Sequence, residues 1–160
     1  MMHLIDTMFP AGLAIQQLWD EKRRNTRLAA RADFSIDELR PLLGRLILVD
    51  ILPELDVFYR LYGTRCSELL GQELTGKRLS DLQPPELRTL IRAEYAEVVA
   101  DRRPMVFRQT RAHGDRGAHV VEHTLLPLSH GGETVDQVLS LADWASNGRP
   151  CSTPDKTSRT

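Results

Sequence analysis

Hydrophobic and polar positions follow two different periods along this chain, and the places where one gives way to the other outline its elements. Ala11 to about Arg24 favours helix and carries Leu13, Leu18 and Trp19 in a loosely amphipathic pattern. A sharper signal follows at Ser35, where Glu38 three residues on completes a capping box and Phe34 and Leu39 stand as a hydrophobic staple. Leu39, Leu42 and Leu43 supply one apolar face, and Gly44 can end the helix. The period then shortens. Leu46 to Leu52 predicts a buried strand, Pro53-Glu54 interrupts it, and Asp56 to Tyr62 predicts an aromatic-rich second strand. Gly63 and Thr64 form a corner, with Thr64 as cap of a short helix through Leu70 that Gly71 stops. Thr75-Gly76-Lys77 makes a further turn, and Ser80 can cap one more helical turn.

The longest helix begins at Pro84-Pro85, where a proline in the first turn loses no hydrogen bond. Leu87, Leu90, Ile91, Tyr95, Val98 and Val99 recur at spacings of three and four and predict one apolar face. Asp101 to Pro104 ends it. Three strands follow: Met105 to Arg111, His119 to Leu128 and Val135 to Ala142, with turns at 113–117 and at His130-Gly131-Gly132. Strands grouped at both ends around central helices predict an α+β domain with one five-stranded antiparallel sheet. Alternation along the strands is imperfect, so both sheet faces are expected to be covered, the second by the N-terminal helices. The expected divisions are an N-terminal helical extension over 1–34, the main domain over 35–145 and a flexible, polar tail over 146–160.

Composition narrows the class. The 160 residues are one domain's worth, with 41% hydrophobic and 27% charged residues. No run is long enough for a membrane-spanning helix, and Pro10 with no preceding basic region argues against a secretory signal, so a cytoplasmic protein is expected. Two cysteines, Cys66 and Cys151, make no disulfide framework and lack metal-ligand spacing. A net charge of -1 argues against a nucleic-acid binder that neutralises many phosphates.

The arrangement resembles a PAS domain: two strands, short helices, one longer helix, then three strands. Phe58-Tyr59-Arg60-Leu61-Tyr62-Gly63-Thr64, Leu69-Leu70-Gly71, Leu74-Thr75-Gly76-Lys77 and Leu79-Ser80-Asp81-Leu82 carry the likeness. Trp19, Arg24, Arg31 and Leu42-Leu43 before Leu48-Val49-Asp50 add a similarity to a short, often stand-alone PAS family known mainly from alphaproteobacteria. The resemblance implies a non-catalytic sensory or interaction module in bacterial signalling. Such modules bind a small molecule between sheet and long helix, and many dimerise through an N-terminal helix. Here Leu13, Leu18 and Trp19 are the candidate dimer contacts. With about Leu13 to Trp144 taken up by one fold, output is expected through a protein partner or self-association.

The cofactor is unknown from sequence, but two types leave traces that can be sought. Haem-binding relatives often place a histidine on the long helix, and 85–101 has none, which weakly disfavours haem. Flavin photosensors place a reactive cysteine before that helix, and Ser80 to Pro85 has none, so no covalent flavin signature is present. The resemblance, with Gly63 aligned to the usual strand-ending corner, implies that Tyr59 and Leu61 face the long helix and that Arg60 and Tyr62 face away from it. With Ile91, Tyr95, Phe107, His123 and Leu125, they form the candidate pocket, apolar with a few polar groups. The blander reading, which such residues more often meet, is that they fill a core, each polar tip with one partner. His119 and His123 share a strand face but stand about 13 Å apart, too far to chelate one ion, so no metal is expected. Arg27 and Arg31 could clamp an anion, though a run of charges is more often a solvated face. A small enzyme using His123 and Tyr95 as acid and base is the competing class, without a nucleophile motif or phosphate loop behind it.

Overall fold

The structure, a computed structural model, describes residues 7–112, 118–146 and 149–150. Helix α1 spans Pro10–Arg23 and opens on a proline within its first turn. Helix α2, Ile36–Leu39, is held by the capping box that the sequence predicts: the Ser35 hydroxyl accepts from Glu38 N at 3.1 Å, and Ser35 N donates to the Glu38 carboxylate at 3.4 Å. A tighter 3-10 segment, Arg40–Arg45, continues into β1, Leu46–Ile51. Strand β2 is Val57–Tyr62 and helix α3 is Thr64–Leu70. Gly71 ends α3 at φ 77°, a left-handed conformation that costs glycine nothing, and its N–H closes on Ser67 O at 2.8 Å. The N-cap of α3 is Gly63 rather than Thr64, and Ser80 lies within a 3-10 turn, its hydroxyl bound to Asp56 at 3.0 Å instead of capping. Helix α4, Pro85–Asp101, leads into β3 (Met105–Ala112), β4 (Ala118–Leu128), β5 (Gln137–Ser146) and the two-residue β6 (Arg149–Pro150).

The five main strands form one antiparallel sheet in the order β2-β1-β5-β4-β3, as expected. The last long strand runs on to Ser146, past the predicted Ala142, and Arg149 pairs with Ser146. Most of the tail predicted over 146–160, namely 147–148 and 151–160, lies outside the described residues, as does the predicted turn at 113–117. Among the described residues no helix is long and apolar enough to cross a membrane.

Helices α3 and α4 lie on one face of the sheet and α1 on the other. Gly12 permits the close approach of α1, because a Cβ there would stand 3.0 Å from the Thr124 hydroxyl and 2.7 Å from that of Thr7. The Trp19 indole donates to Pro127 O at 2.8 Å and is 2% exposed. Just before α1, the buried Glu122 carboxylate accepts from Met8 N at 3.0 Å and from the Thr7 hydroxyl, and Arg108 donates to it at 2.8 Å. Glu122 stands directly opposite Asp143, which pairs with Arg45 at 2.6 Å. Burial pushes the Asp143 carboxyl up; Arg45 opposes that shift, and Glu122 adds to it.

Candidate functional site

The site is built where the buried stripe of α4 crosses the inner face of the sheet. That stripe is narrower than the sequence predicts: Tyr95 and Val98 are buried, Leu87, Ile91 and Val99 are packed against the core, and Leu90 is 46% exposed. It also contains a charge, since Glu94 falls between Ile91 and Val98 and is buried with them. Facing it are Ile47 of β1, Tyr59 and Tyr62 of β2, His123 and Leu125 of β4 and Ser140 of β5, with Leu70 and Leu74 closing the side nearest α3. They line a partly open cavity of about 30 Å³. At about 10–15 Å³ per water-sized probe, that holds roughly two waters.

Five of the predicted pocket residues, Tyr59, Ile91, Tyr95, His123 and Leu125, line this cavity. Leu61 and Phe107 do not. Phe107 is the register partner of His123 on the edge strand, half-buried against the core. Leu61 fails for a reason visible in the pairing: Leu48 pairs with Leu61 but Val49 with Tyr59, leaving Arg60 as an extra residue. Such a bulge breaks the two-residue alternation, so Tyr59 and Tyr62 both line the cavity and the prediction that Tyr62 faces away is corrected. The two rings meet edge to face, centroids 5.6 Å apart. Of the candidate dimer contacts, Leu13 is 38% exposed, Leu18 packs partly against the core, and Trp19 is fully engaged within its own chain.

Polar groups converge on the cavity. Glu94 accepts from the Gln109 amide through one oxygen, and its other oxygen lies 3.7 Å from His123 Nδ1, beyond hydrogen-bond reach. Ser140 is buried, with its hydroxyl against the Tyr95 phenol. Burial raises the phenol's pKa well above its ordinary value, with the neighbouring Tyr59 adding to the rise and Ser140 opposing it. A missed signal for Glu94 was available: a glutamate four residues before Val98 and three after Ile91 sits inside the apolar stripe, not beside it. Ser140 and Ile47 lie within strands whose facing could be assigned only after the register was known.

Elsewhere, a wider and more open groove of about 570 Å³ runs between residues 52–56 and Arg78, Ser80 and Arg92, on the surface. Arg31 donates to Phe34 O at 3.0 Å, a local hydrogen bond within the segment whose charges are expected to form a solvated face. Among the described residues no three His, Cys, Asp or Glu side chains gather as a metal site.

A five-stranded antiparallel sheet with helices laid over a small pocket on one face defines the α+β class of the domain. Residues 8–142 match the family described as PAS domain, and the chain belongs to that family. No curated protein matches the chain. Among solved structures it is similar to the Rhodobacter sphaeroides LOV protein at 18% identity, covering 70% of this chain and 68% of that one, with a TM-score of 0.48. A light-oxygen-voltage domain studied with a flavin analogue gives 13% identity, coverage of 70% and 84%, and a TM-score of 0.50. An RNA-binding light-oxygen-voltage receptor gives 16% identity over 88% of this chain and 36% of the other, with a TM-score of 0.44. Identities this low speak to the fold alone.

Proposed function

We propose that this PAS domain is a non-catalytic, cytoplasmic sensory module that takes up a small molecule between α4 and the sheet and passes that state to a protein partner. The observation that carries this reading is the convergence of Glu94, His123, Tyr95 and Ser140 on a cavity whose remaining walls are largely apolar. Ligand sites are built that way, whereas a core of this size has no need of a charged side chain. The small volume bears on signalling. A ligand larger than two waters must push aside Ile91, Leu74 or Leu125, so occupancy and the position of α4 become coupled.

Titration of the isotope-labelled full chain with a library of small metabolites, followed by amide NMR, tests this. Shifts are expected to centre on α4, β4 and β5 for at least one compound. Shifts confined to the surface groove, or none with any compound, would overturn the reading.

A second reading, a dimerisation module that needs no ligand, draws on one observation: Met8 and Leu13 are 51% and 38% exposed at the start of α1. Leu13→Glu is then expected to convert a dimer to a monomer in light scattering. A mass unchanged by the substitution removes that interface.

A further inference from the structure

We propose that the cavity receives the primary ammonium group of a small organic amine, an inference that rests on the ligand-binding reading above. The three tyrosines of the chain, Tyr59, Tyr62 and Tyr95, all line this one cavity. Aromatic faces carry negative charge density and attract cations. Beside them stands the Glu94 carboxylate, its side chain 7% exposed. Gln109 gives it a neutral donor, and His123 stands too far off for a hydrogen bond. No lysine or arginine is among the lining residues, so the wall offers no cation of fixed charge to balance Glu94. A carboxylate taken from water is favourable only where a partner charge or several hydrogen bonds replace the lost hydration.

An –NH3⁺ group is a set of three donors on one positive charge. The cavity presents acceptors for it: Glu94, the buried Ser140 hydroxyl and the Tyr95 phenol oxygen. Size agrees, since about 30 Å³ admits the ammonium head and its first carbon without rearrangement. A longer tail must displace Ile91 or Leu125. Two other ligand classes fit less well. An anion would meet the Glu94 charge, and an alcohol brings a single donor and no charge.

The test is titration of the full chain, by NMR or calorimetry, with butylammonium, 1-butanol and butyrate, which are close in size and shape and differ in charge. Butylammonium is expected to bind at least about tenfold more tightly than 1-butanol, the difference a charge-assisted hydrogen bond can make in a buried site. Glu94→Gln should erase that ratio without weakening 1-butanol. Should Glu94→Gln fail to fold, Ser140→Ala, which removes one hydroxyl from the wall and leaves its charge unchanged, is expected to reduce the ratio several-fold. Equal or tighter binding of 1-butanol or butyrate overturns the ammonium assignment and leaves a cavity that binds a ligand of another class. Absence of binding by all three also overturns it, and the metabolite titration then decides whether the cavity binds anything.

Discussion

Gly63 shows how much of this fold rests on single residues. A Cβ added there would collide with the backbone carbonyl of Gly44, and neither segment can retreat, since Gly63 N is bonded to Leu46 O at 2.9 Å. Gly63→Ala is therefore expected to cost about 2–3 kcal/mol in chemical denaturation, the usual penalty for forcing atoms into a packed site. The Arg45–Asp143 pair makes a different prediction. Removing either partner alone leaves a buried charge unmatched, about 3–5 kcal/mol, while the double change Arg45→Met with Asp143→Leu should cost much less. Because the folded state raises the Asp143 pKa, the folded chain holds that proton more tightly than the unfolded one. Its contribution to stability is thus lost as pH rises from the ordinary carboxylate range through the raised value. Denaturation across that window should show the wild type gaining on Asp143→Asn as pH falls. Cys66 is the simplest case. Burial pushes its thiol up to about 12, so alkylation at pH 8 with peptide mapping should leave Cys66 unmodified until denaturant is added.

Elements were legible in the sequence wherever local chemistry fixed them. The Ser35–Glu38 box, the Gly71 stop and the proline start of α4 each rest on hydrogen bonds or dihedrals within a few residues, and each stands as predicted. What escaped depends on partners distant in sequence. The bulge at Arg60 arises from pairing β2 with β1, so strand phase alone misplaced Leu61 and Tyr62. Trp19 has the composition of an interface residue, yet its indole reaches Pro127 across the sheet, a contact 108 residues away. Helix α1 is on these grounds an integral layer of the fold. Trp19→Ala should destabilise the whole chain by about 3–5 kcal/mol with a single cooperative transition. A helix that served only as a detachable dimer contact would leave the melting of the sheet unchanged.

For the whole molecule, the division into a core side and a cavity side follows from where charge is tolerated. On the outer face, Glu122 and Asp143 are each matched by an arginine, and Glu122 also fastens the segment leading into α1. On the inner face, Glu94 has a neutral donor and a histidine beyond hydrogen-bond reach, next to space. Strand facing and the apolar stripe of α4 let the sequence place five of the cavity residues, Tyr59, Ile91, Tyr95, His123 and Leu125. It missed Glu94 and Ser140, the two that give the cavity its chemistry, because one looks like a surface residue and the other like a filler. The proposed function requires that this space be occupied by a ligand. Native mass spectrometry of wild type and the space-filling Leu125→Trp, each exposed to the same mixture of small metabolites, reads that occupancy. A bound mass is expected on wild type and not on the variant, both remaining folded. Identical spectra for the two proteins would contradict it.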